Sequence, residues 1–472
     1  MIEFPPPLPQ PTGEPGPVVG PRRDSPWWGG GAALVILVSV AVAMIGVVRD
    51  KADLAASTDR EAKMDRIGRE MTARSIVGMN ALMGSLEGLG PSKSAWLDPF
   101  EEESRTPSQR LEYEILRREV MGAEAAPVTE AIPAASTADE RRDWEIWDRI
   151  RAGSDSPGGP PSAEELARLK ERLGWIGQLA ASQAVTADAG ERRVVVGQGI
   201  RSFVGSAILT TGGLMALAAG CALAMWALVH FSTGRGRWRF PEAGLPVVVA
   251  TGGTVWLEAF AVYLGVMVLG GSAAESLSST PVFWLQAVVF LGAAVLGLMW
   301  PHFRGLSGDA CRAGFGVTRG RGVWRELAAG LVGYCAGLPI VALGIAATLV
   351  LTLKAKADAS HPLNHLTGVS PPVLVLLGLL AAVWAPVVEE LFFRGAFYAA
   401  WRRRFGRWVS AVGTGVVFAA VHPQGWTAIP ALGAIGMVFA LLREWRGSII
   451  APMAAHALNN GSLFLVMILM LR

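Results

Sequence analysis

Apolar runs of membrane-spanning length dominate this chain, and they fall in two places. The first extends from about Gly29 to Val48. A helix needs about 20 apolar residues to cross the hydrocarbon core, so this run is long enough. It is longer than the apolar segment of a signal peptide, and no small-x-small site follows at once, so 29–48 reads as an uncleaved transmembrane anchor. From about Phe203 the runs return and continue to the end, at 203–230, 245–270, 281–301, 327–353, 371–395, 408–422, 427–442 and 448–471. The runs at 408–422 and 427–442 are short, as in a tilted or protein-buried hairpin. The pattern predicts an all-α integral membrane protein: a polytopic helical bundle of about eight to nine transmembrane helices, the anchor included, with the membrane domain at 203–472.

Two segments break the pattern. Residues 1–28 are rich in Pro and Gly and are expected to be a disordered tail. Residues 50–200 hold most of the acidic side chains, with helix-like stretches at Asp59–Leu86, Ser108–Met121 and Ser162–Val185 between breakers such as Pro157-Gly158-Gly159-Pro160-Pro161. Ser162-x-x-Glu165 is a capping-box pattern opening the last of these. This segment reads as a mostly helical soluble insert.

Composition narrows the class. Of 472 residues, 51% are hydrophobic and 17% charged, against about 25% charged in ordinary soluble domains. A formal net charge of +3 argues against a nucleic-acid partner and leaves membrane lipid as the main surrounding. Cys221, Cys311 and Cys335 stand alone, with neither disulfide nor zinc-knuckle spacing.

Arginine-rich loops alternate with poor ones. Arg235, Arg237 and Arg239, then Arg304 to Arg325, then Arg402 to Arg407, then Arg443 and Arg446, mark one side. By the positive-inside rule that side is cytoplasmic, which puts the N-terminus inside and the 50–200 insert outside.

Four polar constellations interrupt the apolar runs. Glu389-Glu390-Leu391-Phe392-Phe393-Arg394 places two acids after an apolar stretch. Glu390 and Arg394 are four apart and can pair on one helix face, while Glu389 is turned about 100° away and left free. His422 closes Phe418-Ala419-Ala420-Val421. His456 and Asn460 are four apart on one face of the last run, with Asn459 a weaker competitor. Each alone has a bland reading: a salt-bridged helix end, a satisfied core histidine, polar glue between helices. The fourth, His361-Pro362-Leu363-Asn364-His365, resembles a metal pair but has a Pro inside and falls in an outer loop, so it reads as a decoy.

Depth favours function for the first three. At about 1.5 Å per residue, Glu389 lies roughly 20 Å before Arg402 and His422 roughly 22 Å after Arg407. His456 and Asn460 lie roughly 15 and 21 Å after Arg446. Three helices thus deliver a carboxylate, two imidazoles and a carboxamide to a similar level in the membrane, a plausible active-site constellation.

The same residues carry a family resemblance. EELFFRG at 389–395 resembles the EExxxR signature of the CAAX-protease/bacteriocin-processing family (CPBP, also called Abi). FAAVH at 418–422 looks like its FxxxH motif and HALNN at 456–460 like its HxxxN motif. In the loosely defined motif near 429–440, Ala431-Leu432-Gly433 lacks the aromatic that often precedes the glycine, which leaves the role of that helix open. The likeness covers about 240–472 and omits the 50–200 insert. It implies an intramembrane endopeptidase of a bacterial inner membrane that hydrolyses membrane-associated protein or peptide substrates. In that reading Glu389, alone or with His422, activates a water, His456 and Asn460 donate to the oxyanion, and Glu390 and Arg394 hold the helix. Alternatively Glu389, His422 and His456 coordinate a divalent metal, zinc by preference, with an open water position. The competing class is non-catalytic: a membrane scaffold, or a proton-coupled transporter, although no repeated halves stand out.

Overall fold

The computed structural model describes residues 26–49, 54–83, 92–122, 137–156, 158–184, 186–240, 248, 253–275, 280–355 and 371–471. The tail at 1–25 and the His361–His365 motif lie outside these residues. Among the described residues the chain is helical, with no strand. It divides into two compact units, 53–215 with 466–472, and 1–52 with 216–465.

The polar unit is built from α2 (Leu54–Met83), α3 (Lys93–Glu102), α4 (Pro107–Met121), α5 (Ala138–Ala152), α6 (Ala163–Ala181) and the start of α7 (Ala189–Ser232). The expected helical stretches correspond to α2, α4 and α6. Three capping boxes fix helix starts here, at Thr106/Gln109, Thr137/Glu140 and Ser162/Glu165. Each satisfies two backbone N–H groups that the first helical turn leaves without partners. The core gathers Phe100, Ile115, Trp147, Leu169 and Trp175. Its buried charges are paired, Arg69 with Glu112 at 2.8 Å and Asp143 with Arg172 at 2.6 Å.

The other unit contains α1 (Pro26–Arg49), the end of α7, α8 (Thr254–Glu275), α9 (Thr280–Phe303), α10 (Gly308–Phe315) and α11 (Val323–Ala355). After these comes α12, which begins at Pro371–Leu379 and ends at Tyr398–Arg402. Its middle alternates π-helix (Leu380–Trp384), α-helix (Ala385–Glu390) and π-helix (Leu391–Phe397). The chain closes with α13 (Arg407–Ala420), α14 (Ile429–Arg446) and α15 (Ile450–Leu471). The exterior carries large apolar side chains, such as Leu343 at 73% and Leu353 at 69% exposure, while Glu258, Glu326, Glu390, Arg394 and Glu444 are buried. That inverted distribution suits a lipid solvent, in which charge must be satisfied inside the bundle. Among the described residues, four helices are long and apolar enough to cross a membrane: Ala189–Ser232, Val323–Ala355, Pro372–Arg402 and Trp426–Arg446. Four shorter apolar helices accompany them, at Gly29–Met44, Thr254–Val268, Val288–Phe303 and Arg407–Ala420. The protein is an integral membrane protein.

Some arginines used to orient the chain have internal partners. Arg446 pairs with Glu326 at 2.7 Å and Arg402 with Glu444 at 3.0 Å, and Arg443 is fully buried. These three therefore weigh less in the charge asymmetry of the loops.

Helices α13 and α14 pack through glycine. A Cβ added at Gly415 would lie 2.4 Å from the Gly433 carbonyl oxygen, and one at Gly436 would lie 2.8 Å from Gly415 Cα. Small residues allow such an approach between membrane helices. Gly415→Val is expected to lower stability by about 1–3 kcal/mol or more through overpacking, seen as a lower melting temperature in detergent. An unchanged melt would mean that the two helices do not meet this closely.

Candidate active site

The site is assembled on α12, α13 and α15, with α14 behind it. On α12 the two neighbouring acids go different ways. Glu390 is fully buried, and its Oε1 accepts from Arg394 Nη1 at 2.8 Å, one α-turn onward. Arg394 Nη2 also donates to the Gly436 carbonyl at 2.9 Å, and its guanidinium lies over the rings of Phe418 at 4.7 Å and Phe439 at 5.1 Å. The glycine-mediated approach of α13 and α14 therefore supplies both the carbonyl and the rings that hold this cation. Glu389 projects elsewhere, with its side chain 17% exposed and its Oε2 without a hydrogen-bond partner.

His422 stands just beyond the end of α13, where the last carbonyls lack helical partners. Its Nδ1 lies 2.5 Å from the Phe418 carbonyl oxygen. His456, in the second turn of α15, is stacked on Phe439 and places Nδ1 2.8 Å from Glu390 Oε1. A carbonyl oxygen and an arginine-paired carboxylate can only accept, so Nδ1 carries the proton in both rings. In the neutral rings Nε2 then holds a lone pair, and both Nε2 atoms face Glu389 Oε2, at 3.9 Å from His422 and 3.8 Å from His456. Three acceptor atoms, from α12, α15 and the turn after α13, thus converge with no donor among them.

The π-helical start of this region explains the place of Asn460. Within the first π stretch the Ala385 N–H donates to the Leu380 carbonyl, five residues back. The next bond in that register would run from residue 386 to Ala381, but Pro386 has no N–H. The Ala381 carbonyl instead accepts from Asn460 Nδ2 at 3.0 Å. Asn460 Oδ1 accepts from Asn459 Nδ2 at 2.9 Å, and Asn459 Oδ1 accepts from the Tyr334 hydroxyl at 2.7 Å. Tyr334 and Asn459 are thus part of the support, and so is Glu390 in its contact with His456. The sequence pattern pointed to neither the Tyr334–Asn459 nor the Glu390–His456 contact, which are tertiary. A proline in mid-run was the one available signal for the π turn.

This arrangement narrows two expected roles. Neutral His456 has no free N–H, because Glu390 takes the Nδ1 proton, and one hydrogen of Asn460 is engaged by Ala381. Donation to an oxyanion is left to the second Asn460 hydrogen and to His456 once it is protonated. Tyr334→Phe removes only the hydroxyl that holds Asn459. It is expected to weaken that support by about 1 kcal/mol and to lower turnover about 5-fold, read as an initial rate with the melt nearly unchanged. A wild-type rate would remove Tyr334 from the support.

The donor types also fit a divalent cation. Each histidine has its Nδ1 fixed by an outer partner and offers Nε2, and Glu389 offers an otherwise unpartnered oxygen. Ligands of a tetrahedral zinc stand about 3.4 Å apart, and the separations here are wider by about half an ångström. As placed, no group of three such ligands among the described residues meets metal-centre spacing.

Residues 371–462 match the family model described as Type II CAAX prenyl endopeptidase Rce1-like. No curated protein and no solved structure matches the chain. The matched segment is narrower than the expected 240–472, yet it holds Glu389, Glu390, Arg394, His422, His456 and Asn460. Over these residues the chain matches the CAAX-protease (CPBP) family.

Proposed function

We propose that this protein is an intramembrane endopeptidase that hydrolyses peptide bonds of membrane-associated protein substrates, with Glu389 as the base that activates water. The observation that carries the reading is the convergence of Glu389 Oε2 with the two Nε2 atoms, all acceptors, at 3.8 and 3.9 Å. A water among them finds acceptors for both of its protons, and its oxygen lone pair is turned towards the substrate carbonyl. Glu389, assisted by His422, takes the proton. The proton taken from the water is then available to the leaving amine, and His456 is held in place by its contact with the Glu390 carboxylate. Asn460 is positioned as a donor to the oxyanion.

Glu389, His422 and His456 are also the residues that would hold a divalent metal, zinc by preference. Such an ion would supply Lewis-acid polarisation and a more acidic water. The bundle is proposed to cross the bilayer nine times, through α1, α7, α8, α9, α11, α12, α13, α14 and α15. The N-terminus would lie on the cytoplasmic side of a bacterial inner membrane. A scaffold gives no reason for an unpartnered carboxylate oxygen held between two oriented imidazoles, and a proton-coupled transporter, which could use one as a relay, is disfavoured because no repeated halves with broken helices stand out in the sequence.

The test is a comparison of protein fragments in membranes carrying the wild type or Glu389→Gln, each with and without chelator. Fragments made only by the wild type support the protease. Their loss with chelator and return with zinc support the metal version, and their persistence supports the glutamate–histidine version. Identical fragments in all samples contradict the proposal.

A further inference from the structure

A second polar site lies at the arginine-rich end of the membrane unit, away from the residues of the proposed chemistry. After α7 the chain turns at Gly234 and presents Arg235, Arg237 and Arg239 beside Arg321, which lies in the turn before α11, and Arg446 at the end of α14. With Trp226, His230 and Trp445, these arginines line a cavity of about 470 Å³.

Its charge is largely uncompensated. Arg446 is neutralised by Glu326, through contacts of 2.7 and 2.8 Å. Arg235, Arg237, Arg239 and Arg321 make no ion pair with a carboxylate among the described residues. Repulsion from the neighbouring Arg239 pushes the Arg321 guanidinium below the usual arginine range. Holding like charges together in this way costs stability unless an anion joins them. A tetrahedral oxyanion suits guanidinium forks best, because several N–H groups can grip it at once.

The surroundings point to the level of the lipid headgroups. Trp226 stacks on His230 at 4.9 Å, Phe231 stacks on Trp238 at 4.4 Å, and Trp238 meets Trp408 edge-on at 6.4 Å. Tryptophan clusters of this kind favour the membrane–water interface. Beside the cavity, Met225 and Leu228 of α7 are 62% and 64% exposed, an apolar path for acyl chains. We propose that this cavity binds a phosphate group, that of an anionic phospholipid whose acyl chains lie along the exposed face of α7. Basic pockets between membrane helices select such headgroups by charge. The site is independent of the proposed proteolysis.

The experiment is native mass spectrometry of the full chain in detergent, titrated separately with phosphatidylglycerol, phosphatidylcholine and inorganic phosphate. The wild type is expected to retain phosphatidylglycerol at least about 10-fold better than phosphatidylcholine. Arg239→Gln/Arg321→Gln should lose that preference with an unchanged melt. Arg235→Gln/Arg237→Gln, at two exposed loop positions, should reduce it and serves if the first variant folds poorly. Equal retention of the two lipids overturns the proposal, as does an undiminished preference in both variants. Binding of inorganic phosphate with no preference between the lipids overturns the lipid source.

Discussion

Glu389→Gln is expected to reduce peptide-bond cleavage by about 10²–10⁴-fold, the usual contribution of a general base, while the protein melts as the wild type does. The second half of this expectation follows from the geometry. Glu389 Oε2 makes no hydrogen bond, and the two Nε2 atoms that face it are too distant for one, so the amide costs the fold little. A carboxamide keeps the shape of the side chain but cannot take a proton near neutral pH. Full activity in this variant would remove Glu389 from the chemistry under either the water-activating or the metal-binding version. Loss of activity together with loss of the fold would instead make Glu389 a packing residue.

Arg394→Met is expected to do the reverse: it should unfold the protein by about 3–5 kcal/mol, the cost of leaving one member of a buried ion pair behind. Glu390 would keep only His456 as a partner, and the Gly436 carbonyl would lose its donor. The methionine would still pack between Phe418 and Phe439, so the deficit is electrostatic rather than steric. Adding Glu390→Gln should recover part of the lost stability, because no unpaired charge then remains buried. Thermal melts of the two variants in detergent measure this. Equal melting of Arg394→Met and wild type would mean that the pair contributes nothing, and an additive double variant would mean that the two residues are not coupled.

The contrast between Glu389 and Glu390 was readable in the sequence because it is local. A spacing of four on a helix pairs Glu390 with Arg394 and leaves Glu389 free, and helical rise alone places three motifs at a common depth. Links between distant segments were not readable. His456 meets Glu390 across 66 residues, and Arg446 meets Glu326 across 120. No periodicity encodes such contacts. Arg446 counted as a loop charge because it stands with Arg443 at the end of an apolar run, just before Gly447, yet it turns inward to a carboxylate on another helix. Apolar composition from 408 to 422 also does not say which face packs: α13 sets Gly415 against α14 and leaves Val409, Val412 and Val416 exposed on its other face. The open role of the helix near 429–440 became clear only from tertiary structure, since Gly436 holds Arg394 through its carbonyl and Phe439 stacks on His456.

The central claim is that Glu389 drives peptide-bond hydrolysis. It is tested most directly by labelling protein N-termini in membranes that carry equal amounts of wild type or Glu389→Gln and identifying them by mass spectrometry. The account predicts a set of new N-termini, on membrane-associated proteins, present only with the wild type. The same set of N-termini in both membranes would contradict it.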